Sequence, residues 1–202
     1  MIEQPDYKNA TNAAYELLAR YHGKFPVIDV FSLIDLFPRD FKVKVYTYAE
    51  CSRKMRCSYK DFFTQYASSE HGFTIPYFKK GKYIICFNEG KDEKTIRFTI
   101  AHEIGHIVLG HRVDNGITDR EANCFARNLL CPLQIADGFG VETEQDYVNC
   151  FNVSEPMAAA TVAHRASDKY YITQDNYDKF NDNVYCYFSG YTLAELYGLG
   201  YA

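Results

Sequence analysis

The chain has no apolar run approaching the ~20 residues that span a bilayer, so a helical membrane protein is excluded. No secretory leader is expected, because the opening residues, MIEQPDYKNA, are polar. Its seven cysteines, Cys51, Cys57, Cys86, Cys124, Cys131, Cys150 and Cys186, are odd in number and lack CxxC spacing. That pattern argues against a disulfide framework and for reduced thiols in a cytoplasmic protein. Cys51 and Cys57 bracket a basic Ser-Arg-Lys-Met-Arg stretch, but neither their spacing nor a nearby third ligand marks a second metal or redox site, and a solvated loop is expected there. Positive charge is not in excess: 22 Lys and Arg against 26 Asp and Glu leave a net charge of -4 and a pI near 5.9. A surface built to grip phosphates carries the opposite balance. Internal repeats are absent. What is present is a globular composition, 202 residues with 47% hydrophobic and a mean hydropathy of -0.33, enough for one compact catalytic domain with a small appended module.

The chemistry is concentrated in Thr99-Ile-Ala-His102-Glu103-Ile-Gly-His106-Ile-Val-Leu, an HExxH pattern inside an apolar helical run. Residues four apart lie about one turn, ~5–6 Å, along one helix face, so both imidazoles can reach one metal ion. Glu103 lies beside them, placed to hold an attacking water. On a wheel of roughly 100° per residue, Ile96, Ile100, Ala101, Ile104, Gly105, Ile107, Val108 and Leu109 fill a broad arc. Thr95, Thr99, His102, Glu103, His106 and Gly110 share a narrow one. Two histidines and a carboxylate on so apolar a helix are costly to bury unless something satisfies them. Zinc fits that need better than the alternative, a histidine pair satisfied within the core.

A catalytic zinc site usually takes a third protein ligand, and the candidates downstream are His111, Asp114, Asp119 and Glu121. His111 falls on the wheel among Ile100, Ile104 and Ile107 and misses the spacing of the longer HExxHxxGxxH pattern; a place near the last helix carbonyls or behind the ligands suits it better. The next helix is expected from Thr118 or Asp119 to Leu130, stopped by Pro132. Its apolar face holds Ala122, Phe125 and Leu129, and Glu121 points inward with them, whereas Arg120, Asn123 and Arg127 lie opposite. Glu121 is therefore the favoured third ligand, with Asp119 in reserve. A capping box from Thr118 to Glu121 is the competing explanation.

The segments RFTIAHEIGHIVLGH and REANCFARNLLCP together resemble the ImmA/IrrE family of metallo-endopeptidases. The helix at Ala13-Ala14-Tyr-Glu-Leu17-Leu18, the segment Pro26-Val-Ile-Asp-Val30 and the turn at Phe151-Asn-Val-Ser154 are similar to that family's layout, so the resemblance covers roughly residues 10 to 170. It implies Zn²⁺, gluzincin-like ligation with His102, His106 and Glu121 as ligands, and Glu103 as the catalytic glutamate. It further implies a protein substrate, a cytosolic helix-turn-helix repressor or an antitoxin of a mobile element or stress programme.

The expected fold is α+β: a zincin-like domain over residues 1–140 with a small mixed sheet packed on helices, a helix-turn-helix-like module over 141–171, and a tyrosine-rich tail over 172–202. Helices are expected at residues 9–21 and from Val27 to Phe37. The alternating Phe41 to Tyr48 reads as a strand with valines on one side and lysines on the other. Gly72 to Pro76 and Lys82 to Asn88 read as a hairpin across Lys79-Lys80-Gly81, with Tyr83 to Asn88 as a candidate edge for an extended substrate. A helix from Glu144 to Phe151, a turn at Asn152-Val153, and a helix capped by Ser154 with Pro156 in its first turn complete the module. The local acids Glu142, Glu144, Asp146, Glu155 and Asp168 outnumber Arg165 and Lys169, so direct DNA binding is disfavoured. The tail is expected to add a strand at Val184 to Phe188 and a short helix near Thr192 to Tyr197, completing the core. His164 and Tyr147 are candidate donors to a developing oxyanion. Besides a zinc endopeptidase, two other classes fit: a catalytically silent zinc-binding regulator, and a DNA-binding regulator acting through residues 143–169.

Overall fold

A computed structural model describes residues 4–38, 41–76, 81–113 and 115–198. The first helix, α1 (Tyr7–Leu18), begins where the Asp6 side chain accepts a hydrogen bond from the Asn9 amide, and it buries Ala10, Ala14, Leu17 and Leu18 at helical spacing. The helix expected from Val27 to Phe37 is not formed as such: only Ser32–Leu36 coils, as a short 3-10 turn. Asp29 explains the difference, because its carboxylate accepts from the Phe31 amide and its carbonyl from the Ser32 hydroxyl. Such local bonds compete with helical ones.

Three strands form a sheet in the order β1-β3-β2: β1 (Lys42–Thr47), β2 (Gly72–Pro76) and β3 (Lys82–Phe87). Val43 and Val45 of β1 are partly buried while Lys42 and Lys44 are exposed, as the alternation requires. β1 runs parallel to β3 and β2 antiparallel to it. Parallel neighbours need a crossover, and here the crossover contains α2 (Tyr48–Met55) and α3 (Tyr59–Gln65). The solvated loop expected around Cys51 is thus corrected to a helix, nucleated by a capping box between Thr47 and Glu50 and ending at Arg56 in the left-handed region. The same crossover places β3 in the middle of the sheet. Tyr83 to Asn88 is accordingly not an edge; among the described residues the edge strands are β1 and β2. The turn residues Lys79 and Lys80 lie outside the described residues.

The sheet leads into α4 (Glu93–Val108), capped by Asp92, which packs against α5 (Gly116–Leu130). α5 starts earlier than expected because Asn115 caps it in a box with Thr118, which removes the explanation of Glu121 as a capping partner. Nor does α5 have an outward face at Arg127, which is buried, because the helix packs on α1, α4 and α8 together. After α6 (Leu133–Gly138) come α7 (Glu144–Phe151) and α8 (Glu155–Tyr171), joined through Asn152 in the left-handed conformation. Ser154 stands at the cap of α8, but its side chain makes no capping bond. Two buried arginines tie this pair of helices down. Arg97 of α4 donates to the carbonyls of Phe151 and Ile28, and Arg127 clasps Asp168 of α8 through Nε and Nη2 at 2.9 and 2.8 Å.

The strand expected at Val184 to Phe188 is instead the last part of a helix, α9 (Gln174–Ser189), followed by α10 (Leu193–Leu196). α9 completes the core: Phe180 is fully buried with edge-on contacts to Tyr15 and Phe25. Asn12 of α1 bonds to the carbonyl of Tyr171 and the amides of Thr173 and Asn176, and Asn183 donates to Ala19. No helix among the described residues is long and apolar enough to cross a membrane.

α4 packs tightly on α5 at Gly105, where an added Cβ would lie 3.0 Å from the Phe125 ring and 3.3 Å from the Ala122 Cα. Ala is favoured over Gly in a helix interior by about 1 kcal/mol, yet Gly105→Ala should destabilise, because Phe125 is fully buried and overpacking costs about 1–3 kcal/mol. At Gly138, where a Cβ meets nothing within 4 Å, the same change should be neutral or stabilising. Thermal melts of both variants test this; a Gly105→Ala melt at or above the wild-type temperature refutes it.

Candidate metal centre

His102 and His106 lie one turn apart on α4 and turn their Nε2 atoms toward one another at 2.9 Å. Asp119, on the first turns of α5, brings Oδ1 to 3.8 and 3.6 Å from those two nitrogens. Among the described residues these three side chains form a group able to hold a metal ion. The point equidistant from the three atoms, the circumcentre of a triangle with sides 2.9, 3.6 and 3.8 Å, is about 2.0 Å from each, inside the ~2.0–2.2 Å range of zinc bonds to imidazole and carboxylate. The donor set and its spacing both fit Zn²⁺.

Glu121, expected as the third ligand, is elsewhere. Its Oε2 lies 2.9 Å from His111 Nε2, and its Oε1 accepts from the Asp6 amide at 2.6 Å. Helical geometry gives the reason. Two residues are about 200° of rotation, so Asp119 and Glu121 cannot face the same neighbour, whereas Asp119 and Asn123, four apart, can. Asn123 does share that direction: its Oδ1 lies 2.8 Å from His102 Nδ1. Asn123, expected on the outward side of α5, is therefore turned toward His102 here, and its i, i+4 relation to Asp119 is the sequence signal for it.

His111 is not part of the ligand group, but the wheel misplaced it. α4 ends at Val108, and Gly110 adopts a positive φ of 70°, which only glycine adopts at little cost. The chain folds back so that the His111 amide bonds to the His106 carbonyl and the two Nδ1 atoms come within 3.0 Å. Asp114 lies outside the described residues.

Glu103, adjacent to His102 on α4, is buried and lines the same cleft as the cluster. Burial, with the Cys86 thiol and the Glu103 carboxylate adding to it, pushes the Tyr48 phenol well above its usual range. The Cys86 thiol is also pushed up, mainly by its hydrogen bond with Cys51, with burial adding to it. The cleft, of about 490 Å³, is also lined by Phe73, Thr74 and Pro76 of β2, by Tyr83 of β3 and by Arg112. The Thr74 hydroxyl is buried and finds no hydrogen-bond partner among the described residues. The suggested oxyanion donors do not line the cleft: Tyr147 is fully buried and stacked on Phe151, and His164 lies on α8.

The profile of a family described as Peptidase_M78, IrrE N-terminal-like domain, matches residues 53–165, more than half of the 202. No curated protein matches the chain.

The purified protein should bind one equivalent of zinc, and His102→Ala or His106→Ala should abolish it. Partners behind a ligand typically cost about 10–100-fold in affinity, so Asp119→Ala should cost more than about 100-fold. Chelator competition measures this, and wild-type affinity in Asp119→Ala would remove Asp119 from the shell.

Proposed function

The chain belongs to the Peptidase_M78 family of ImmA/IrrE-type metallopeptidases, and on that premise we propose that it is a zinc-dependent endopeptidase. Its substrate on this reading is a cytosolic regulatory protein, a helix-turn-helix repressor or an antitoxin, as the family likeness suggests. The observation that carries the proposal is the convergence of two imidazole nitrogens and one carboxylate oxygen beside a buried glutamate in an open cleft. Bound there, Zn²⁺ would lower the pKa of a water to about 7 and polarise a carbonyl.

The chain's own residues would supply the rest. His102, His106 and Asp119 hold the ion. Glu103 takes the proton of the attacking water and passes it to the leaving amine; its burial keeps that exchange away from bulk solvent. The open edge of β2 offers main-chain groups to an extended peptide, and the Thr74 hydroxyl offers a further bond. Tyr83 and Arg112, which line the cleft, are two of the donors within it that could serve a developing oxyanion.

A silent zinc-binding regulator would have no use for a glutamate buried in the cleft. A DNA reader is disfavoured because the first turn of α7 carries Glu144 and Asp146, and its corner with α8 is anchored by Arg97.

The test is cleavage of the co-encoded repressor or antitoxin by wild-type protein and by Glu103→Gln, with zinc measured in both. Glu103→Gln should keep its zinc and lose about 10²–10⁴-fold in rate. A zinc-loaded wild type that leaves these proteins intact overturns the proposed substrate.

A further inference from the structure

We infer that His111 and Glu121 form a positioning relay that sets the tautomer of His106, so that its Nε2 presents a lone pair to the metal centre. The inference rests on the reading of His102, His106 and Asp119 as that centre, and it concerns residues that the ligand set leaves out. The contacts run in series. The Asp6 amide donates to Glu121 Oε1, Glu121 Oε2 lies 2.9 Å from His111 Nε2, and His111 Nδ1 lies 3.0 Å from His106 Nδ1.

Two imidazole nitrogens in contact share one hydrogen, and Glu121 decides which of them carries it. A carboxylate only accepts, so His111 donates from Nε2, and its Nδ1 holds the lone pair of a neutral ring. His106 must then donate from Nδ1, which leaves its Nε2 without a proton. On the other ligand, Asn123 Oδ1 accepts from His102 Nδ1 in the same way, which puts a lone pair on the second Nε2 as well. The two Nε2 atoms, 2.9 Å apart with Asp119 Oδ1 at 3.8 and 3.6 Å, then both turn lone pairs toward the point a metal would occupy. The hydrogen-bond pattern therefore favours the arrangement a metal needs before any metal arrives.

Burial makes the relay stiff. The side chains of His111 and Glu121 are 8% and 16% exposed, and hydrogen bonds in such surroundings are electrostatically stronger than in water. Glu121 itself is held by the backbone that caps α1. Removing His111 would leave His106 free to rotate or to carry its proton on Nε2, and the metal would have to displace it.

Two measurements on the full chain test the relay. In zinc-free wild-type protein, long-range ¹H–¹⁵N correlation should show His106 protonated at Nδ1; protonation at Nε2 overturns the relay whatever the zinc affinity. For Zn²⁺ itself, chelator competition should show His111→Phe weakened by about 10–100-fold. His111→Gln, whose amide can accept from His106 and donate to Glu121, should recover most of that loss. Equal weakening in both variants, or none in His111→Phe, would reduce His111 to a space-filling residue. Absence of stoichiometric zinc in wild type would instead overturn the metal centre, while the tautomer measurement still reads the relay by itself.

Discussion

The contact between α4 and α5 at Gly105 is the constraint on which the site depends. Because position 105 has no side chain, the Phe125 ring and the Ala122 backbone press directly on α4, and the start of α5 is carried to the face that bears His102 and His106. A Phe side chain buried completely contributes roughly 1.5–3 kcal/mol. Here that burial also sets a distance: Asp119 lies three residues before Ala122, and its carboxylate reaches the imidazoles only if the helices are this close. The glycine inside the HExxH pattern thus has a packing role separate from the chemistry of its neighbours.

Polar ties extend the same frame outward. Arg97 and Arg127 project from α4 and α5 into the interior, where desolvation of a guanidinium is expensive and each must be matched. Desolvation pulls Arg97 below its usual pKa, and its partners include backbone carbonyls at the corner of α7 and α8 and the carbonyl of Ile28. Arg127 has a carboxylate, Asp168, in bidentate contact. Such pairs add little net stability, but each accepts one geometry, so the α7–α8 corner and the long helix α8 are oriented relative to the cleft rather than merely attached. The asparagines between α1 and α9 act likewise.

Where the hydrophobic pattern was regular, the fold was legible. The alternation in β1, the apolar circumference of α4 and the turn before α8 all matched their local signals. α9 was unreadable for a definable reason: its buried stripe consists of Asn176, Phe180 and Asn183, and two amides at core positions erase the apolar period. The segment holding α2 and α3 was lost because its helices are short and α3 buries only Phe62. The wheel also failed at His111, since it extends a helix that Gly110 has already ended.

The sequence by itself determined that two imidazoles and a glutamate share one helix, because spacing along a helix is a local property. It also narrowed the remaining ligand to a few acids downstream. Only the tertiary structure shows which of them comes near the imidazoles, since which face of α5 meets α4 depends on packing at Gly105 and Phe125 and not on any pattern within α5. It turned Asp119 toward the imidazoles and Glu121 toward His111, and it put β2 rather than β3 at the edge of the sheet beside the cleft. Those are outcomes of contacts between residues far apart in the chain, and no single segment encodes them.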